Sequence, residues 1–264
     1  MGLNIDAIPF SWIRKELRLV QPVERGATGM AVQRVQEWLT LNGIAVVVDR
    51  QFGPATRYAV GRFQTRRRLP KTGVVDTPTF EELTEPLHRA LAPPSTTTSV
   101  VSSVVAGAAR QHLRERPREV GGTNRGPWVR VYMEGSDGPG FLWCAGFASF
   151  LVRQASWHTG IPLPMRPTYS CDVISQDAQT EGRFIAESEI AGNPAKLDNL
   201  PRGSLFVQRR TDTDWNHVGI VIAAVDEIIE TIEGNTNEGG SREGYEVCRR
   251  IRNLKNKDFV TLEG

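Results

Sequence analysis

The sequence has few of the residues that form disulfide frameworks or zinc sites. Its 264 residues include three cysteines and four histidines. Cys144, Cys171 and Cys248 are an odd number of thiols at wide spacing, and none belongs to a CxxC pair. This pattern excludes a disulfide-rich scaffold and a cysteine-based zinc site. Buried thiols are the simpler interpretation of Cys171 and Cys248, and a disulfide between them remains open.

The chain also lacks a long apolar run and an excess of one charge. No apolar stretch reaches the about 20 residues that a membrane-spanning helix needs, so we expect no membrane insertion. The formal net charge of +2 does not predict nucleic-acid binding, and the basic run at 62–68 is typical of a solvated helix face. Charged side chains at positions 6 and 14–16 interrupt the N-terminal apolar residues, so no secretory signal is predicted there.

A composition break separates two blocks of sequence. The stretch "LAPPSTTTS", residues 91–99, combines two prolines with small polar residues and is typical of a linker. We therefore predict a helical domain over residues 1–92, a linker over 93–103 and a second domain over 104–264. In the second block, helical segments are followed by consecutive antiparallel strands, so the predicted fold class is α+β.

The first block predicts three short helices around one small core. Apolar residues recur at helical spacing in 30–43 and 53–70, and Pro54 suits a first helical turn. A third helix runs to residue 91, with Thr77 as the predicted N-cap. The residues expected on the apolar faces of the first two helices are Val32, Val35, Trp38, Leu39, Tyr58, Val60 and Phe63.

The motifs of the first block occur in a characteristic order. "VQRVQ", "FGPAT", "AVGRFQ" and "GVVDTPTFEEL" follow one another between about residues 26 and 90. In these features the block resembles the peptidoglycan-binding domain type 1, a three-helix module that binds the cell wall. The resemblance implies peptidoglycan as a partner. The stretch "AVVVDRQFG" departs from the glycine- and aspartate-rich loop of many members, which leaves a spacer as the alternative to a wall anchor.

In the second block a cysteine lies where a glycine-rich segment gives way to an apolar helix. In "GFLWCAGFASFLVRQA", residues 140–155, Phe147, Phe150 and Leu151 follow Cys144 at helical spacing. The positive end of a helix dipole lowers the pKa of a thiol at the helix N-terminus, which favours a nucleophilic thiolate. Inert packing of a buried thiol is the alternative.

A histidine and a glutamate occur on neighbouring predicted strands. The strands are predicted over 203–209, 217–225, 227–235 and 244–253. A hairpin centred on Val225 places His217 directly opposite Glu233, with Asn235 on the same face. Gly219 leaves space beside the imidazole. A slip of one residue would turn Glu233 to the other face of the sheet.

The motifs around these residues resemble a second family. "LWCAGFASFLV", "DWNHVGIVI" and "TIEGNT" are similar in order to the CHAP domain, a papain-like cysteine amidohydrolase or peptidase, over about residues 105–260. The resemblance implies that Cys144 is the nucleophile, and that His217 is the general base and later the acid. Glu233 would orient the imidazole, and Asn235 would support or replace Glu233. The backbone N–H of Cys144 would form part of the oxyanion hole.

Several nearby residues bear on this resemblance. Tyr132 is a weaker candidate for a polar neighbour of the oxyanion hole. Gly203 and Ser204 stand where many members have Gly-Asp, which concerns packing rather than catalysis. In "YMEGSDGPGFLW" only Glu134 and Asp137 supply carboxylates, so we predict no calcium site there, no other metal and no cofactor.

Together the two resemblances predict a monomeric, two-domain peptidoglycan hydrolase. The first domain would hold the wall, and the second would cut an amide bond in the peptide part through a thioester. An amidase and an endopeptidase would use the same residues, so the bond remains open. Without a secretory signal, we expect synthesis in the cytoplasm and action in the periplasm or at the wall. The route would be a holin, as for a phage endolysin, or a dedicated secretion machine.

Two other functions remain open. One is a catalytically silent wall-binding protein that keeps the fold. The other is a cysteine peptidase or amidase that acts on a non-wall substrate, with a first domain that binds proteins. Trp143 and Trp215 flank the catalytic candidates, and either line a substrate groove or pack in the core.

Overall fold

The computed structural model describes two compact units. The described residues are 3–95, 99–225, 227–237 and 244–263. The first unit comprises Met1–Arg89 and Arg118–Phe141, and the second comprises Ala90–Pro117 and Leu142–Gly264. The units therefore differ from the continuous blocks that the composition break predicts, because residues 118–141 belong to the first unit. In that segment Trp128 packs edge-on against Trp38, with ring centroids 5.8 Å apart.

Helices and strands follow one another in the order that an α+β fold requires. The helices are α1 (Ser11–Leu17), α2 (Met30–Leu41), α3 (Pro54–Arg66), α4 (Thr77–Leu91), α5 (Val101–Glu115), α6 (Pro127–Tyr132), α7 (Cys144–Thr159), α8 (Cys171–Thr180), α9 (Glu187–Gly192) and α10 (Ala195–Asp198). The strands are β1 (Phe184–Ile185), β2 (Leu205–Thr211), β3 (Asp214–Val225), β4 (Ile228–Thr236), β5 (Glu246–Asn253) and β6 (Lys257–Val260). The predicted fold class is confirmed. No helix in the described ranges is long and apolar enough to cross a membrane.

The three helices predicted for the first block are confirmed as α2, α3 and α4. The apolar stripe of α2 is fully buried, as its spacing requires, and it consists of Val32, Val35, Trp38 and Leu39. The helix α4 begins at Thr77, but its cap is Asp76, whose Oδ1 accepts a hydrogen bond of 3.0 Å from the Thr79 backbone N–H. The predicted cap was therefore one residue too late. Asp76 satisfies one of the free N–H groups of the first helical turn.

One predicted core residue of α3 is on the surface. Val60 and Phe63 are fully buried, whereas Tyr58 is 68% exposed. The buried stripe of α3 also includes Thr56, four residues before Val60, and Ala59, four residues before Phe63. Tyr58 falls off this stripe because two residues along a helix turn the side chain by about 200°. Its ring is therefore available to solvent.

A buried ion cluster holds residues 118–141 in the first unit. Arg130 donates from Nε to Glu16 at 3.0 Å and from Nη2 to Glu37 at 2.5 Å. Its Nη1 donates to Asp137 at 2.9 Å. The Glu37 side chain is fully buried, and burial raises the pKa of this carboxyl against the opposing effect of Arg130. Because an unpaired buried charge is strongly unfavourable, the cluster depends on all its members.

The second unit is built around one antiparallel sheet in the strand order β1-β6-β2-β3-β4-β5. Helix α7 packs against α5 and lies on β3 and β4. An apolar cluster of the sheet includes Ile190 and Leu197 of α9 and α10 with Phe206 and Val221 of β2 and β3. The sheet thus supplies a rigid support at its centre, where β3 and β4 meet α7.

Candidate active site

Two close contacts position the first turns of α7 and α8. Gly234 of β4 has no side chain, and a Cβ there would lie 2.7 Å from Cβ of Phe147 on α7. The first turn of α7, which begins at Cys144, can therefore lie directly on the strand. On α8, Asp172 Oδ1 accepts a hydrogen bond of 2.6 Å from the backbone N–H of Trp215. This bond ties the start of α8 to β3 close to His217.

The two helices each begin with a buried cysteine, and the two thiols interact. Cys144 and Cys171 are both 7% exposed. The pKa of the Cys144 thiol lies well below its ordinary value, chiefly because the Cys171 side chain hydrogen-bonds to it. Burial opposes this shift, while His217 and the backbone N–H of Ala145 support it. These surroundings favour the thiolate form of Cys144.

His217 is buried on β3 between the thiol and a carboxylate. Its Nε2 lies 2.8 Å from Oε2 of Glu233. Nδ1 is buried and makes no hydrogen bond with any described residue, while the Cys144 side chain interacts electrostatically with the imidazole. Burial disfavours the imidazolium, but the interactions with Cys144 and Glu233 outweigh it and raise the pKa of His217 to about 9. The lowered pKa of the thiol and the raised pKa of the imidazole together favour a thiolate–imidazolium pair.

Glu233 is fully buried, and Arg252 and Thr231 bind its carboxylate in addition to His217. Arg252 donates from Nε to Oε1 at 2.5 Å and from Nη2 to Oε2 at 2.6 Å. The hydroxyl of Thr231 donates to Oε1 at 2.5 Å. Burial alone would raise the pKa of Glu233, but the bonds to Arg252 and His217 lower it to about 2. Between the two pKa values, of about 2 for Glu233 and about 9 for His217, the carboxylate is ionised and the imidazole is charged.

The predicted hairpin register is wrong by two residues beside the site and by three beyond a bulge, although the predicted contact forms. The observed pairs are Ile220↔Ile232, Val221↔Thr231 and Val225↔Ile228, with a bulge between Val221 and Ala223. A shift of two residues keeps Glu233 on the face of His217. Gly219, rather than His217, lies beside Glu233, since a Cβ at Gly219 would be 2.6 Å from Cγ of Glu233. The carboxylate reaches the imidazole diagonally across the space that the glycine leaves. The turn residue 226 lies outside the described residues.

Asn235 does not replace Glu233 as the partner of the imidazole Nε2. It is 1% exposed near the end of β4 and has a left-handed backbone with a φ of 55°. Its carbonyl accepts a hydrogen bond of 3.2 Å from the backbone N–H of Gly244. The structure therefore brings Cys144, His217 and Glu233 together and places Asn235 near the end of β4.

Other residues that the sequence analysis named are packed in the interior of their units, namely Tyr132, Trp143, Trp215 and Gly203. Tyr132 is buried in the first unit, and burial raises the pKa of its hydroxyl well above the ordinary value. Trp143 is fully buried, and the 5% exposed Trp215 donates from Nε1 to Asp258 at 2.8 Å, so both tryptophans pack in the core. Gly203 has a φ of 97°, and a Cβ there would collide with the carbonyl oxygen of Ser102.

The acidic residues before Cys144 do not form a metal site among the described residues, and the remaining thiols do not form a disulfide. Asp137 is paired with Arg130, as described above, and Glu134 is exposed. In the described part of the chain, no group of three or more His, Cys, Asp or Glu side chains is placed to hold a metal ion. Cys171 and Cys248 are free thiols, so they do not form the disulfide left open by the sequence. Burial raises the pKa of Cys248 to about 11.

Sequence reasoning missed three residues that contact the catalytic candidates. They are Cys171 beside Cys144, and Thr231 and Arg252 beside Glu233. Thr231 could have been found, because it shares the face of Glu233 under strand alternation. Cys171 and Arg252 could not, since their contacts depend on how α8 and β5 are placed in the fold.

A basic pocket lies on the surface of the first unit. Its volume is about 310 Å³, and it is lined by Arg25, Pro54, Arg57, Tyr58, Gly61, Lys71, Thr72 and Gly73. Three of these side chains are cationic, and no carboxylate is among them. The exposed ring of Tyr58 adds an apolar surface beside the cations. Such a pocket can accept an anionic group next to an apolar one.

The family match that comparison with known proteins gives lies in the first unit. Residues 28–83 match a family model described as "Putative peptidoglycan binding domain". The solved structure titled "The crystal structure of SleB N-terminal domain" is 35% identical, with 25% of this chain and 90% of that chain covered and a TM-score of 0.24. None of the curated proteins compared with the chain matches it. The family model covers α2, α3 and the first part of α4. The segment that matches the peptidoglycan-binding family model therefore lies in the first unit.

Proposed function

We propose that the second unit is a cysteine hydrolase that cuts an amide bond in the peptide part of peptidoglycan at the cell wall. The observation that carries this proposal is the buried arrangement of Cys144, His217 and Glu233. The pKa of the thiol is lowered and the pKa of the imidazole is raised, which is the combination that a thiol nucleophile and its base require. The resemblance of the motifs around these residues to the CHAP domain supports the same function.

In the first half of the reaction the thiolate replaces the amine of the substrate. The Cys144 sulfur attacks the amide carbonyl carbon, a C–S bond forms, and an electron pair moves to the carbonyl oxygen. Backbone N–H groups at the start of α7, including that of Cys144, can donate to this oxyanion. The imidazolium of His217 gives its Nδ1 proton to the leaving nitrogen as the C–N bond breaks. A thioester and a free amine result.

In the second half water replaces the sulfur. Neutral His217 takes a proton from a water molecule, and the resulting hydroxide attacks the thioester carbonyl. The C–S bond breaks, the sulfur leaves as a thiolate, and the acyl group becomes a carboxylic acid. Glu233 keeps the imidazole ring oriented in both halves and stabilises its charged form. The pair of Cys144 and His217 is then restored.

Loss of turbidity of purified sacculi tests this function. We expect the full chain to clear the suspension, and the Cys144→Ala and His217→Ala variants to lose this activity. Cys248→Ala is the matched control, because it removes a thiol whose pKa is raised rather than lowered. If the wild-type chain sediments with sacculi but never clears them, the protein is a silent wall binder. If it neither sediments nor clears them, the substrate lies outside the wall.

We further propose that the basic pocket of the first unit contacts the wall. Arg25, Arg57 and Lys71 would attract carboxylates of the stem peptides, and the exposed Tyr58 ring would pack on the adjoining apolar atoms. The charges are solvent-exposed, so the contact should weaken as salt rises.

Sedimentation with sacculi tests the pocket in the full chain, because residues 118–141 are part of the first unit. In an inactive Cys144→Ala background, we expect Arg57→Ala and Tyr58→Ala to reduce the sedimented fraction. Arg68→Asn is the control: Arg68 is exposed and does not line the pocket, and asparagine tolerates its φ of 59°. Equal sedimentation of all variants would place the wall contact elsewhere.

A further inference from the structure

The glutamate beside the imidazole is held mainly by an arginine. Arg252 makes two parallel hydrogen bonds to Glu233, and one of them shares Oε2 with His217. Two-pronged bonds of this kind fix the plane of a carboxylate as well as its position. Thr231 occupies Oε1 from a different direction. The orientation of Glu233 therefore does not depend on its bond to the imidazole.

The arginine is itself fixed on the sheet. Arg252 lies on β5 opposite Ile229 of β4, and its guanidinium carbon lies 5.6 Å from the ring centroid of Phe206 on β2. The Arg252 side chain is 22% exposed, so it is only partly screened by water. The same Phe206 ring lies 6.1 Å from the imidazole of His217. One aromatic ring thus supports both the arginine and the histidine.

The charge of the arginine acts on the imidazole through the glutamate. A lone buried carboxylate next to His217 would bind the imidazole proton tightly. Arg252 neutralises part of that negative charge, so the imidazolium can release its proton to a leaving group. Among the described residues, titratable groups around His217 and Glu233 include Cys144 on α7, Cys171 on α8, Cys248 on β5 and Lys257 on β6.

We infer that Arg252 is a positioning residue of the active site, which fixes Glu233 and moderates its attraction for the imidazole proton. The inference rests on the proposed function, because it assigns Arg252 a part in proton transfer by His217. It goes beyond the sequence motifs, since Arg252 belongs to none of them. If Arg252 has this role, its removal should raise the pKa of His217.

Three variants separate the positioning role from a structural one. Arg252→Met removes the charge and the two bonds, whereas Arg252→Lys keeps a charge without the planar fork. Arg249→Met is the matched control on the same strand, because Arg249 pairs with Glu230 in a solvent-exposed ion pair. Circular dichroism and thermal melts establish that each variant is folded.

Histidine titration by NMR is the readout that needs no substrate. His217 is recognisable by its pKa of about 9, since burial lowers the pKa values of the other three histidines, His88, His112 and His158. For Arg252→Met we expect the His217 midpoint to rise by about one pH unit, because the uncompensated carboxylate holds the proton. Arg252→Lys should restore the wild-type midpoint. Arg249→Met should leave it unchanged.

Kinetics on soluble peptidoglycan fragments supply the second readout. We expect Arg252→Met to lower kcat by about 10-fold to 100-fold with KM unchanged, because the imidazole is misaligned and a weaker acid. Arg252→Lys should recover part of this loss. A folded Arg252→Met with the wild-type midpoint and kcat would overturn the inference; if that variant does not fold, wild-type kcat in Arg252→Lys would do so. If the wild-type chain hydrolyses no wall substrate, the proposed function fails, while the NMR midpoints still decide the role of Arg252.

Discussion

A methyl group added at Gly219 should disturb the Glu233 carboxylate from the adjacent strand. In Gly219→Ala the new Cβ would lie 2.6 Å from Cγ of Glu233 and 2.7 Å from Cε1 of Phe206. Both distances are far below normal van der Waals contact, and a backbone oxygen at 3.2 Å, that of Ile232, closes the remaining side. Glu233 must therefore move, since the strand and the ring have no free space.

The size of the effect follows from these contacts. Overpacking of a buried site by one methyl group destabilises a protein by about 1–3 kcal/mol. The displaced carboxylate would lose its 2.8 Å contact with His217, which is among the interactions that raise the imidazole pKa to about 9. We therefore expect the His217 midpoint to fall, which is the opposite of the change expected for Arg252→Met. Misplacement of the imidazole should reduce kcat by about 100-fold.

Urea unfolding, NMR titration and kinetics on wall fragments would measure the three effects together. Val207→Ala is a suitable control, because Val207 is fully buried on β2 and its truncation lowers stability without crowding Glu233. That control should unfold more easily and keep the wild-type His217 midpoint. A stable Gly219→Ala variant with the wild-type midpoint and kcat would refute the placement of Glu233 beside Gly219.

Three further predictions concern other contacts. Cys171→Ala should raise the pKa of Cys144 and slow its alkylation by iodoacetamide at mildly acidic pH, while Cys171→Ser, which keeps a donor, should largely restore it; equal rates would contradict the thiol contact. The pH profile of kcat/KM should rise at acidic pH as Cys144 ionises and fall near pH 9 as His217 loses its proton; activity that keeps rising through pH 10 would contradict the ion pair. Arg130→Met should destabilise the first unit by about 3–5 kcal/mol in urea unfolding, because it leaves two buried glutamates without their cation; an unchanged midpoint would contradict this.

Local patterns in the sequence were enough to predict the helical core of the first unit. The burial of Val32, Val35 and Trp38 follows directly from their spacing, because a helix repeats every 3.6 residues. Tyr58 was misplaced because it lies two residues before Val60, and two residues along a helix turn the side chain by about 200°. The assignment of residues 118–141 to the first unit could not be predicted, since it depends on the packing of Trp128 and on the buried charge of Arg130.

The catalytic candidates were predictable as residues, but their detailed contacts were not. The period of two along a strand kept Glu233 on the face of His217 even though the register differed by two residues. A bulge after Val221 changes the register, and the sequence carries no clear signal for it. Arg252 and Cys171 act through contacts between distant parts of the chain, which periodicity does not report.

The most direct test of the account is mass spectrometry of the products released from purified sacculi by the wild-type chain and by Cys144→Ala in parallel. The account predicts new amino and carboxyl termini from a cut amide bond in the wild-type digest alone. Intact stem peptides with a free N-terminus would identify an amidase, and shortened stems would identify an endopeptidase. The same products from Cys144→Ala, or no peptide products from the wild-type chain, would contradict the assignment of Cys144 as the nucleophile of a peptidoglycan hydrolase.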